Sequence, residues 1–241
     1  MHSETTGLKW SALAVASDNT HHMLDGKPAY TSRFLSVDKF RSPGLAVARD
    51  ERGMFHINPQ GVPAYSATFL QAFGFYEGVA AVQASDGWLH IHPDGTAAYE
   101  SRFDWVGNWQ QAHCVVRDFQ GRYFHIKEGG NAAYAERYAY AGDFREDAAV
   151  VQQSNGLATH IDAHGHLLHG KWYPALDVYH KGFARARDDR GWHHINRSGQ
   201  AAYERRFMEV DAFYNGQAWA KDVDGSALII NQRGEVLRTL Q

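Results

Sequence analysis

The sequence predicts an all-β fold: a seven-bladed β-propeller with about 35 residues and three to four short strands per blade, and an N-terminal strand that closes the last blade. Three observations predict it. First, a His-Ile-polar triplet recurs at His56-Ile57-Asn58, His90-Ile91-His92, His125-Ile126-Lys127, His160-Ile161-Asp162 and His194-Ile195-Asn196, with degenerate copies at His21-His22-Met23 and Ile229-Ile230-Asn231. Successive copies stand 34 or 35 residues apart. Second, a glycine follows five positions after the first residue of every copy, from Gly26 to Gly234. Third, apolar residues alternate over short stretches between turn signals, and no window offers an amphipathic helix. Self-similarity at a fixed period of this length marks a stacked-repeat architecture.

The elements follow in order within the clearest copy. Val79-Ala80-Ala81-Val82 is a strand of small residues, turned by Ser85-Asp86-Gly87. Trp88-Leu89-His90-Ile91-His92 is the next strand, turned by Pro93-Asp94-Gly95. Asp-Gly between short alternating runs signals a hairpin, because glycine supplies the positive φ that the turn needs. Ala98–Phe103 and Trp105–Trp109 complete the copy. The first strand of each copy is small, as in Leu45-Ala46-Val47-Ala48, and the last is aromatic, as in Phe73-Gly74-Phe75-Tyr76. Inner strands crowding an axis must be small, whereas outer strands diverge and admit bulk. The expected blades are 12–44, 45–78, 79–112, 113–148, 149–183, 184–216, and 217–241 completed by 5–10. The last copy stops before a fourth strand, and Thr5–Trp10 would supply it, leaving only short protected edges.

Composition bounds the function. A chain of 241 residues with 44% hydrophobic and 13% aromatic residues can bury a core, and its repeat runs end to end, so one domain is expected. A net charge of −3 gives no electrostatic footprint for nucleic acid or an anionic membrane. Apolar runs are too short for a transmembrane helix, and the N-terminus lacks the pattern of a signal peptide. The lone Cys114 permits no internal disulfide and fits a reducing compartment, so a bacterial-type cytoplasm is expected.

The pattern Phe75-Tyr76-Glu77-Gly78-Val79-Ala80-Ala81-Val82, then Asp86-Gly87-Trp88, Ile91 and Gly95, resembles the bacterial WG-repeat family. The resemblance covers nearly the whole chain. The naming dipeptide is eroded: tryptophan stands at Trp88 and Trp192, followed by Leu89 and His193 in place of glycine. The resemblance implies a non-enzymatic interaction module, and similar arrays stand beside catalytic domains such as methyltransferases. No catalytic residue carries over, because the motif is structural, and no cofactor is implied.

Candidate site residues divide into three groups. His21, His56, His90, His125, His160 and His194 occupy equivalent positions, with Tyr30, Tyr65, Tyr99, Tyr134 and Tyr203 nine residues on and Arg33, Arg102, Arg137 and Arg206 beyond them. A His-Tyr-Arg set in each copy is expected to satisfy buried polar atoms, and equivalent sites around a ring lie too far apart to share one ion. His164, His166 and His169 form a His-rich hairpin that imidazole chemistry would allow to hold Zn or Ni, against the simpler reading of a polar exposed turn. Trp105, Trp109, Trp172 and Trp219 fall where other copies vary and are candidate ligand contacts. Asp50, Asp118, Asp188 and Asp222 follow the small strand and read as turn formers, with a ring of channel-mouth acids as the functional alternative. The leading function is a scaffold that presents loops to a protein or peptide. The alternatives are a multivalent carbohydrate-binding propeller and an enzyme with a channel-mouth site.

Overall fold

A computed structural model describes residues 9–240. The fold is all-β, as expected: seven antiparallel sheets, six with three strands and the last with four, and two 3₁₀ turns at Trp10–Ala12 and Glu128–Gly130. The chain divides into two compact halves, 1–109 and 110–241.

The first half holds three sheets. Ala14–Val15, His22–Leu24 and Lys27–Pro28 form the first. Ser36–Val37, Ala46–Asp50 and Gly53–Ile57 form the second, and Gln71–Ala72, Ala80–Ala84 and Gly87–Ile91 the third. The second half carries the other four, running through His113–Arg117 with Tyr123–Lys127, Ala149–Gln152 with Ala158–Ile161, Phe183–Asp188 with Gly191–Asn196, and Gln217–Lys221 with Ala227–Asn231. The strand Trp105–Gln110 leads the fourth sheet.

Strand order differs from the expectation in an informative way. In the second to sixth sheets the small-residue strand is the middle strand, not the first, and in the last it is the second of four; in the first sheet it leads, as Ala14–Val15. Outside the first sheet, and apart from the fourth where Trp105–Gln110 precedes it, the strand before it has two residues, so Gln71↔Gln83 and Ala72↔Val82 pair, as do Ser36↔Arg49 and Glu209↔Lys221. Small residues are needed here because a middle strand is covered on both edges and both faces: Ala46, Ala48, Ala149 and Ala186 are wholly buried. The segments read as aromatic last strands are mostly not strands. Phe73–Phe75 is extended chain without ladder pairing, and Tyr76 bridges only Val79 across a tight turn. The fourth strand of a copy is reduced to isolated bridges such as Met54↔Phe69 and Ile57↔Pro63. In the last sheet the chain supplies all four strands itself, from Glu209–Val210 to Val236–Leu240. Of the segment Thr5–Trp10, residues 5–8 lie outside the described residues, and Trp10 opens a 3₁₀ turn rather than a strand.

Both faces of the His-Ile strand are buried. Ile57, Ile91, Ile126, Ile161 and Ile195 are at most 1% exposed, and so are the histidines beside them. Alternation along a strand sends neighbours to opposite faces, so each of these sheets is covered on both sides.

Candidate binding cleft

The histidine series is an internal staple. In five copies the imidazole Nδ1 meets the downstream tyrosine hydroxyl: His22–Tyr30 at 2.5 Å, His56–Tyr65 at 2.5 Å, His90–Tyr99, His125–Tyr134 and His194–Tyr203 at 2.6 Å. The same ring's Nε2 donates to a backbone carbonyl in, or just after, the first strand of the next sheet: Asp38, Phe73, Gly107, Gly142 and Asp211, at 2.8–3.0 Å. A carbonyl only accepts, so Nε2 carries the proton and Nδ1 accepts from the phenol. The first copy uses His22, not His21; His21 instead meets the Thr20 hydroxyl. The nine-residue spacing of the other copies pointed to His21, and the structure departs from it by one residue. In the fifth copy His169 replaces tyrosine. Its Nε2–H donates to His160 Nδ1 at 3.0 Å, while its own Nδ1 accepts from the Lys171 N–H.

Rings complete the staple. The imidazole lies against an aromatic residue further along the chain: Phe40, Phe75, Trp109, Phe144, Tyr179 or Phe213. Trp109 therefore belongs to the template rather than to a ligand surface, and its indole N–H has no acceptor among the described residues because five copies place a phenyl or phenol ring there. The tyrosine ring covers the glycine of the next copy. A Cβ on Gly61, Gly95, Gly165 or Gly234 would come within 2.5–2.6 Å of Tyr30, Tyr65, Tyr134 or Tyr203, and one on Gly199 within 2.6 Å of His169. The repeated glycine thus serves a positive φ and a close approach together.

The arginines act differently from the expectation. They reach neither His nor Tyr side chains but fold back onto consecutive carbonyls. Arg33 donates to Tyr30, Thr31 and Ser32, and Arg137 to Tyr134, Ala135 and Glu136. Arg102 and Arg206 do the same and also pair with Asp86 and Asp188. These are loop caps that hold the tyrosine in place.

Burial sets the electrostatics. Desolvation pushes His56, His90, His125, His160 and His194 down to about 4, partly opposed by their carbonyl bonds, and pushes Tyr30 up to about 12. The imidazoles are neutral at pH 7, as the tautomer requires.

The His-rich hairpin does not converge. Asp162 accepts from the backbone N–H groups of His164 and His166 and meets the His166 ring at 3.2 Å, whereas His169 is committed to the staple. Among the described residues no group of three ligating side chains is placed to hold a metal. Asp50, Asp118, Asp188 and Asp222 all accept backbone N–H groups of their own turns. Trp105 is partly exposed on its strand, Trp172 stands where other copies carry arginine, and Trp219 faces Ile229 across the sheet. That last pair exchanges bulk: elsewhere a histidine faces Val47, Ala81, Val115 or Val150.

What the repeat leaves over gathers elsewhere. A cleft of about 520 Å³ in the second half is lined by Tyr140, Arg145, Leu176, Asp177, Val178, His180, Arg185, Asp211 and Tyr214. Arg185 stands where other copies have a small residue facing the histidine. Its guanidinium binds the Asp177 carboxylate and donates to the Val210 carbonyl at 2.9 Å. Arg145 reaches His180 Nδ1 at 3.4 Å, and the His180 and Tyr214 rings lie 5.0 Å apart. Tyr140 and Tyr214 are 49% and 67% exposed. Equivalent positions in the first half, including Asp38, Arg41, Phe73 and Tyr76, line a cleft of about 580 Å³. The signal in the sequence was a column of large, unlike residues just before the tight turns, at Arg41, Tyr76, Arg145, His180 and Tyr214, each following a constant aromatic.

No protein-family model matches the chain, and no curated protein does. Solved structures do. The computationally designed Ika8 protein matches with a TM-score of 0.46 and 15% identity over 95% of this chain and 83% of its own. BamB from Moraxella catarrhalis matches with 0.45 and 12% over 97% and 86%. The WD40 beta propeller domain of Doa1 matches with 0.35 and 12% over 90% and 87%.

Proposed function

We propose that this chain is a non-enzymatic binding scaffold of the β-propeller type, allied to WG-like repeats, that presents its turn-side clefts to a protein or peptide in a cytoplasmic setting. One observation carries the reading. The constant residues of each copy spend their polar groups inside the staple, while the varied residues before the turns line clefts with exposed tyrosine and arginine. Invariant scaffold with variable, aromatic and guanidinium-rich lining is the division of labour of a recognition module. The carbohydrate alternative asks for like pockets in every copy, and the two clefts share position but not lining. Placement beside a catalytic domain in a larger protein fits the same reading.

Cross-linked capture followed by mass spectrometry tests it, comparing the chain with an Arg145→Ala/Tyr214→Ala double variant. The expected result is a partner set retained by the chain and lost by the variant at an unchanged unfolding midpoint. Identical capture by both would sink the cleft as the binding surface.

A further inference from the structure

We infer that the tight turn at Tyr214–Gln217 is a carboxylate-binding subsite that receives a glutamate side chain from the partner; this deepens the function proposed above and rests on it. The turn is one of a series. Two central residues with positive φ recur at Gln111-Ala112, Glu146-Asp147, Lys181-Gly182 and Asn215-Gly216 in the second half. Two successive left-handed residues aim their N–H groups outward as a small anion-binding concavity.

The chain fills this concavity itself where it can. The Glu146 carboxylate accepts from the Lys181 N–H at 2.5 Å and the Gly182 N–H at 2.9 Å, one turn downstream. The Gln111 side-chain oxygen accepts likewise from the Asp147 N–H at 3.2 Å. At the next step the residue in the stitching position is Lys181, which has only donors. Among the described residues no group accepts from the N–H of Asn215 or Gly216, and the Lys181 ammonium lies 5.7 Å from the ring of the exposed Tyr214. Two backbone donors, one cation and one aromatic wall are thus assembled where an acceptor is missing. The carboxylate seated on the preceding turn shows, within the same chain, what chemistry the geometry takes. Tyr214 also lines the cleft, so an acidic residue on a cleft-bound segment can reach the turn.

Amide-resolved NMR of the full chain tests this. The probe is an N-acetylated, C-amidated Gly-Glu-Gly tripeptide. The Asn215 and Gly216 amide protons should move downfield and saturate, and the Gly-Gln-Gly counterpart should bind about tenfold more weakly, the loss expected for a charge-assisted pair. Lys181→Glu should move the same two amides without peptide, by restoring the internal stitch, and abolish the titration. Failure to saturate, equal binding of the glutamine peptide, or unmoved amides in Lys181→Glu would each overturn the subsite. Tighter binding of Gly-Gly-Gly with a free C-terminus would overturn the side-chain assignment. If Arg145→Ala/Tyr214→Ala loses captured partners while Lys181→Glu keeps them, the subsite falls and the scaffold stands.

Discussion

A buried imidazole held between a carbonyl and a phenol stays neutral, because burial penalises the charged ring more than its carbonyl bond favours it. The cost appears as pH dependence. The five histidines held at about 4 have an ordinary value of 6.5, so the unfolded chain binds more protons between those limits. Their stabilisation is complete above about pH 6.5 and falls as pH drops toward 4, by up to about 3 kcal/mol for each histidine. Urea midpoints should fall steeply from pH 7 to 5; a flat profile over that range would refute the neutral staple. Removing one hydroxyl isolates a single link. Tyr65→Phe leaves the His56 lone pair without a donor and should cost about 1–2 kcal/mol in chemical denaturation. Trp109→Phe should run the other way, raising stability by up to about 1 kcal/mol, because it removes an indole N–H that has no acceptor among the described residues.

Within an element, backbone sign matters more than side-chain character. The tight turns need two left-handed residues, and most copies place glycine second. The copies at Ala112 and Asp147 do not, with φ of 61° and 57°. Ala112→Gly relieves strain and should raise the unfolding free energy by about 0.5–1 kcal/mol despite glycine's greater freedom when unfolded. Gly95→Ala is the opposite case. Its φ is 82° and the new Cβ would stand 2.5 Å from the Tyr65 ring, so about 3 kcal/mol should be lost. The turns were readable in the sequence because glycine has a local cause. The strand order was not, since which strand pairs on the far edge of Ala80–Ala84 depends on a segment from the preceding copy, Gln71–Ala72.

At the scale of the molecule, repetition makes each sheet depend on the next. Each staple crosses from one copy to the following connection, as from His56 to Phe73 or His160 to Asp177, so loss of one copy exposes a neighbour's buried histidine. Repeat proteins gain stability from such interfaces.

The amino-acid sequence alone determined the all-β class, the seven copies, the turn positions and the pairing of histidine with tyrosine, because each rests on local alternation, glycine chemistry or a fixed spacing. Only the tertiary structure decided that His22 rather than His21 is the first staple, that arginine caps carbonyls, that Trp109 is scaffold, and that Tyr140, Arg145, His180 and Tyr214 meet in one cleft. Those outcomes depend on which side chains from different copies come within bonding distance, and a period read along the chain contains no distances across it.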